Sequence, residues 1–399
     1  MLLELVANFC LDSLHHPEYV SQRWHVFVTY IIINWLACLS VIFFNRAMPH
    51  MTNLGIFFIL TGFFVTLIAL AVMPSTGGRS GHATNAFVWT EWNADIGYPN
   101  GFVFVAGMLN GAYSVGTPDV CSHLSEELPN PARNVPIAIA LQMAIGFVTG
   151  LAYLIVVMYA ISDYDALFDA PFPIAEIYRQ GAGTAGATGL LSLILPCIGL
   201  CLLGLYITCG RTLWTLARDG ATPFPRMLSK IHPKLEVPVN TTFLTGVLVT
   251  VLGAIYVGSL TAFNAFVGSF VIMSSASYIA VLAPHLLTRR SNIIFGPFNL
   301  NQGPLGYILN AISCVYMIVW FVIYCFPFFL PVNAATMNYA SLLWGGFTIL
   351  LLIWWFFGAR KGYVGPVTNG GQTEIDLVKD LSVVGHAPRA ASMSKSGSS

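Results

Sequence analysis

The sequence predicts an all-α integral membrane protein, and three observations carry that expectation. Only 9% of its 399 residues are charged and 56% are hydrophobic, with a mean hydropathy of +0.73. Soluble domains average about 25% charged residues. Apolar runs of about 20 residues, enough to cross about 30 Å of hydrocarbon, recur along the chain. One such run, GFVFVAGMLNGAYSVGTPDVCSHLSEE at 101–127, turns polar partway through.

The runs place nine spans at 25–45, 53–74, 101–125, 136–161, 187–215, 240–258, 262–287, 305–330 and 338–358. Ahead of them, MLLELVANFCLDSL has no basic leading region, carries Glu4 and is too short to cross. It reads as the tail of a helix within a stub at 1–22, not as a signal peptide. Residues 23–359 form the polytopic domain. The polar stretch 360–399, ending SMSKSGSS, has the composition of a disordered cytoplasmic tail. Between spans, FDAPFPIAEIYRQGAGTAG predicts a short surface helix before the chain re-enters the membrane.

Lys and Arg near span ends orient the chain. With 101–127 running inward, the cytoplasmic side holds Arg46, Arg133, Arg218, Arg226, Lys230, Lys234, Arg289, Arg290, Arg360 and Lys361. The opposite side holds Arg23, Arg79 and Arg179. The C-terminus is therefore expected inside. The N-x-[ST] match at Asn240 falls on the cytoplasmic side and is discounted as a glycosylation site.

Several classes are excluded on composition. The 17 basic and 17 acidic residues give no basic face for nucleic acid. Six of eight cysteines lie inside apolar runs. Cys197 and Cys201 share a helix face, but no His or second Cys pair accompanies them, so neither a metal nor a disulfide is expected. No G-x-x-x-x-G-K-[ST] loop is present to bind a nucleotide. His123, Glu126 and Glu127 lack the nucleophile or H-E-x-x-H spacing of an enzyme site. No cofactor is expected.

The run at 101–127 cannot simply end where it turns polar. Gly101 to Ser114 covers about 20 Å of helix, short of the bilayer. Gly111, Gly116 and Pro118 interrupt the hydrogen-bond ladder, because Pro has no N–H and disfavours helix before it. Backbone freed in this way is tolerated in a membrane only where it lines a cavity, and such breaks mark transporter substrate sites. The segment reads as two half-helices joined by an unwound SVGTP. Asp119 at the start of the inner half is placed to cap its amides. Free N–H groups there favour an anionic or polar substrate group.

GAYSVGTPDVCSHLSEELPNPARNVPIAI resembles the sixth-helix motif of the amino acid–polyamine–organocation superfamily, nearest to the fungal amino acid, GABA and choline permeases. CGRTLWTLARDGATPFPRML is similar to the end of that family's eighth helix, FNAFVGSFVIMSSASYIAVLAP to its tenth, and FNLNQGPLGYILNAISCVYMIVWFVIYCFP to its eleventh. MNYASLLWGG and ARKGYVGP fit the twelfth helix and its exit. The resemblance covers roughly residues 15–366. It implies an inverted-repeat transporter of five plus five helices and two more. Counting back from the sixth helix, the chain lacks the first two to three. It also implies secondary, proton-coupled transport of an amino acid, GABA or choline by alternating access, in the plasma membrane rather than the vacuolar membrane. A multiply charged polyamine is the least favoured substrate.

That resemblance assigns roles. Tyr113 is an aromatic gate, unless it faces lipid. Ser114, Gly116 and Thr117 lie at the unwound centre, where Gly116 permits unusual torsions. Asp119, an ionisable group inside the membrane, meets a cationic amine, carries a coupling proton or caps the inner helix. Ser269 and Ser274 in the polar span 262–287 face the cavity or serve helix packing. His123, Glu126 and Glu127 sit at the inner mouth, with Arg211, Arg218 and Asp219 opposite. These form an ion-pair inner gate or a solvated charged face. A second reading treats the chain as a transport-inactive membrane fragment or regulatory scaffold.

Overall fold

The computed structural model describes residues 22–363, apart from 77–78, 80, 93–95, 115–116, 171, 290–296, 298–303, 335 and 362. Of the stub and the tail expected from the sequence, only Gln22, Arg360, Lys361 and Tyr363 are among the described residues. Every regular element described is helical. The long helices are α1 (Arg23–Phe43), α2 (Met48–Val72), α6 (Pro131–Tyr159), α8 (Pro173–Arg218), α10 (Val239–Gly258), α11 (Leu260–Leu287), α12 (Pro304–Ile323) and α13 (Ala340–Phe357). Among the described residues these eight are long and apolar enough to cross a membrane. The ninth expected crossing is the interrupted one: α4 (Asn100–Gly107), α5 (Leu109–Ser114) and a 3-10 helix at Pro118–Glu127. Short helices α3 (Asn85–Trp89), α7 (Asp165–Asp169) and α9 (Pro225–Leu228) lie in the connections.

Helix boundaries follow local chemistry. Proline occupies the first turn of α2, α6 and α8, where a missing N–H leaves no gap in the ladder. Ser259 ends α10 and caps α11, its hydroxyl accepting from the Ala262 amide at 3.2 Å. The expected surface helix is present but continuous with the following span. Gly183, at φ 74° and ψ 173°, bends α8 where the two parts meet. Arg79 holds that corner, donating to the carbonyls of Met73 and Ala182 at 2.8 Å each.

The tightest packing joins α1, α2, α8 and α10. Asn34, buried in α1, donates to the Gly246 carbonyl at 3.2 Å and the Thr250 hydroxyl at 3.1 Å, and accepts from the Tyr206 hydroxyl. Tyr30 donates to the Val249 carbonyl at 2.6 Å. Glycines let these backbones close in. A Cβ on Gly253 would lie 2.1 Å from the Tyr30 ring, and one on Gly246 3.1 Å from Cys38 Sγ. Small residues and interhelical hydrogen bonds hold helices together in lipid, where the hydrophobic effect between them is absent; each such bond averages about 0.6 kcal/mol. The same packing closes the Asn240 sequon, because Thr241 and Thr242 are fully buried and bonded to the Pro238 carbonyl. A second cluster unites Leu70, Tyr178, Ala187 and Leu191 where α2 meets α8. A third sets α11 against α12 and α13 through Ile272, Tyr324 and Ala340.

Candidate functional site

The interruption is where the sequence predicts it. Regular helix stops at Ser114 and resumes at Pro118. Thr117 between them is left-handed, φ 58° and ψ 43°. A non-glycine residue there stores strain of about 1–3 kcal/mol, which persists only where its surroundings hold it. Val115 and Gly116, the expected centre of the break, lie outside the described residues.

The inner half-helix is a 3-10 helix. One expectation needs correction: Asp119 does not cap it, since Thr117 is the capping position and makes no side-chain capping bond. Asp119 turns its carboxylate sideways. One oxygen accepts from the Tyr278 hydroxyl of α11 at 2.7 Å, and the other lies 3.5 Å from His123 Nε2, one turn on. Carboxylate and imidazole remain 38% and 35% exposed, so a solute can reach both. An acid in the first turn also sits well against the helix dipole.

Helix α11 splints both sides of the break. Above it, Tyr113 donates to the Val267 carbonyl at 2.9 Å and stacks on Phe270 at 6.0 Å, so the aromatic faces a helix and not lipid alone. Below it, Tyr278 holds Asp119. The eleven positions from Val267 to Tyr278 rise about 16 Å along α11, so its two contacts lie on opposite sides of the break. Ser274 lies half-buried within that stretch. Ser269 is buried and its hydroxyl donates to the Phe266 carbonyl of its own helix at 2.7 Å. Ser114 likewise bonds back to the Asn110 carbonyl, at 3.1 Å.

The outer half is anchored from the other end. Tyr98 donates to the Pro327 carbonyl at 3.1 Å, and Phe102 meets Phe326 edge-on at 5.1 Å. A cavity of about 340 Å³ opens beside them, with Asn110 and Asn338 as its polar groups. A cavity of about 860 Å³ lies elsewhere, between residues 81–92 and the end of α6.

The inner-gate residues divide. Arg218 pairs with Asp219 at 3.3 Å and lies over the Trp214 ring at 5.1 Å, so two of the three expected gate partners, Arg218 and Asp219, meet at the end of α8. The 3-10 helix packs against both α6 and α8, which brings His123 to the α8 side of the bundle. The side chains of Glu126 and Glu127 lie outside the described residues, and with them the expected pairing to Arg211 or Arg218. Tyr278 is not among the site residues expected from the sequence. Its signal is a phenol in a membrane helix beside several serines.

Among the described residues no cluster of three His, Cys, Asp or Glu side chains is placed to hold a metal. A profile of the amino acid permease family matches residues 5–347. The chain is 31% identical over 367 residues to a choline transporter of Saccharomyces cerevisiae, covering 90% of this chain and 63% of that one. It is 32% identical over 291 residues to an uncharacterized amino-acid permease of Schizosaccharomyces pombe, covering 72% and 53%. It is 27% identical over 327 residues to the amino-acid permease BAT1 of Arabidopsis thaliana, covering 78% and 61%. The chain thus spans between half and two thirds of the length of these relatives. Eight apolar helices and a matching profile over most of the sequence lead to one conclusion: this is a multi-pass integral membrane protein of the amino acid permease family.

Proposed function

We propose that the chain is a secondary active transporter of amino acids or small organic amines such as GABA or choline. It works by alternating access around the break at 101–127, with a proton as the coupling ion. One observation carries the reading: the Asp119 carboxylate stands at the restart of the broken helix, held by Tyr278 and beside His123. A carboxylate kept in a partly desolvated membrane site serves charge recognition or proton transfer. The names of the relatives, a choline transporter and amino-acid permeases, support the substrate class.

In this reading the substrate ammonium approaches Asp119, whose carboxylate the Tyr278 hydroxyl holds in position. Tyr113 closes over the substrate from the outer half. The residues at 114–117 offer freed backbone groups and the hydroxyls of Ser114 and Thr117, with Ser274 facing them across the break. His123 lies close enough to Asp119 to take up the coupling proton. His123, Glu126 and Glu127 then form the inner gate with Arg211, Arg218 and Asp219, exchanging ion pairs as it opens. The 75–99 side faces outward and the C-terminus lies in the cytoplasm, with the plasma membrane as the expected location.

A substrate-panel uptake assay in proteoliposomes tests this. One zwitterion or monovalent amine should accumulate, driven by an inward proton gradient and abolished by a protonophore. Accumulation insensitive to the gradient would remove the proton from the mechanism. Absence of uptake for every amino acid and amine would overturn the transport reading in favour of an inactive scaffold.

A further inference from the structure

The cavity of about 860 Å³ between residues 81–92 and the end of α6 is lined by none of the residues of the break. Three aromatic rings, Phe87, Trp92 and Tyr164, line it together with the carboxylate of Glu91. Phe87 and Tyr164 meet edge-on at 5.9 Å, so their ring faces point in different directions. Among the described residues Glu91 has no ion-pair partner. Nearby cations are committed elsewhere: Arg79 to backbone carbonyls, and Arg179 to Glu176 at 2.6 Å. Asp163 and Asp165 add negative charge on the loop that carries Tyr164.

The wall is fixed by hydrogen bonds rather than draped over the bundle. The Ala83 amide donates to the Tyr159 carbonyl at 2.9 Å, and Trp89 Nε1 donates to the Tyr159 hydroxyl at 3.0 Å. That hydroxyl donates in turn to Asn85 at 2.8 Å. Thr84 caps α3, and the Glu91 amide closes the helix on the Ala86 carbonyl at 2.8 Å. Glu91 therefore lines the cavity from a short, bonded frame, and Trp92 beside it packs on the Phe104 ring at 6.2 Å.

We infer that this cavity is a second binding site, for an organic ammonium ion, on the face that carries residues 75–99. Ring faces attract a cation through their quadrupole, and an acidic, ring-walled mouth concentrates cations from solution. Among the described lining residues Glu91 is the one carboxylate, and the His82 ring is bonded to Ser75 Oγ at 2.8 Å and to the Ala71 carbonyl at 3.1 Å. Binding here does not require the break to transport anything, so the inference goes beyond the proposed function and stands separately from it.

The test uses the full chain in lipid nanodiscs with Asp119→Asn, which removes the central carboxylate, and Ser162→Cys as a reporter in the cavity wall. Choline at about ten times its half-protecting concentration should slow maleimide labelling of the reporter about tenfold. Its uncharged isostere, 3,3-dimethyl-1-butanol, should not. Adding Glu91→Gln, or separately Trp92→Leu, should abolish most of the protection. A reporter that maleimide cannot reach, absence of choline protection, equal protection by the alcohol, or protection surviving both added substitutions would each overturn the inference.

Discussion

Two regions of this permease are built on opposite terms. In the α1–α2–α8–α10 group, glycines and buried hydroxyls bring backbones together until a single added methyl would collide. Along the broken helix, neither α4 nor α5 has a buried residue, and polar contacts to α11 tie down both sides of the break. The first region spends its polar groups on static interhelical bonds, such as Asn34 to Gly246, Thr250 and Tyr206. The second holds a carboxylate, an imidazole and a phenol together at a partly exposed point. Packing defines a frame, and under the proposed function the sparser bonds mark the part that changes state.

Substitutions can break or sharpen that contrast. The largest effect is expected at Gly253→Val, which drives a side chain into Tyr30 while the Tyr30 hydroxyl is bonded to Val249. Overpacking of this kind costs about 1–3 kcal/mol, read as a lower thermal midpoint, and Tyr30→Ala in the same chain should recover much of it. A midpoint that does not move would show that the frame is no tighter than the break.

Tyr278→Phe removes one hydrogen bond to a carboxylate. Bonds to charged groups contribute about 1.5–3 kcal/mol, so uptake should fall on the order of tenfold or more. The thermal midpoint should hold. A matching loss of stability would make Tyr278 a packing residue. Tyr113→Phe keeps the stack on Phe270 and loses the bond to Val267, a neutral bond of about 1 kcal/mol. It should therefore harm uptake less than Tyr113→Ala. Ser269→Ala should change uptake least, within about threefold, because that hydroxyl is already satisfied by its own helix. A loss as large as that of Tyr278→Phe would return Ser269 to the substrate site.

Much of this was legible in the sequence because hydrocarbon imposes simple rules. Runs such as 240–258 and 262–287 give their helices within about two residues, since length and apolarity alone decide a crossing. The break was legible for the same reason: Gly116 and Pro118 cannot sit in a lipid-exposed helix without consequence. What spacing does not encode is who meets whom. Tyr278 and Asp119 are 159 positions apart, and only the packing of α11 against the break pairs them. The turn of Asp119 away from the amides has the same origin, because a partner phenol outcompetes local capping. Burial of Ser269 was equally hidden, since a serine in a polar span reads alike toward a cavity or a neighbouring helix. Gly183 was one of several glycines in GAGTAGATG, and only its positive φ marks it as the bend.

The separation of frame from working part is tested most directly at Asp119. Asp119→Asn and the unchanged chain, reconstituted in equal folded amounts, should be compared for uptake across the substrate panel and for thermal midpoint. The expected result is an uptake loss of about tenfold or more for the preferred substrate with an unmoved midpoint. Normal transport of every substrate by Asp119→Asn would contradict the assignment of function to the broken helix.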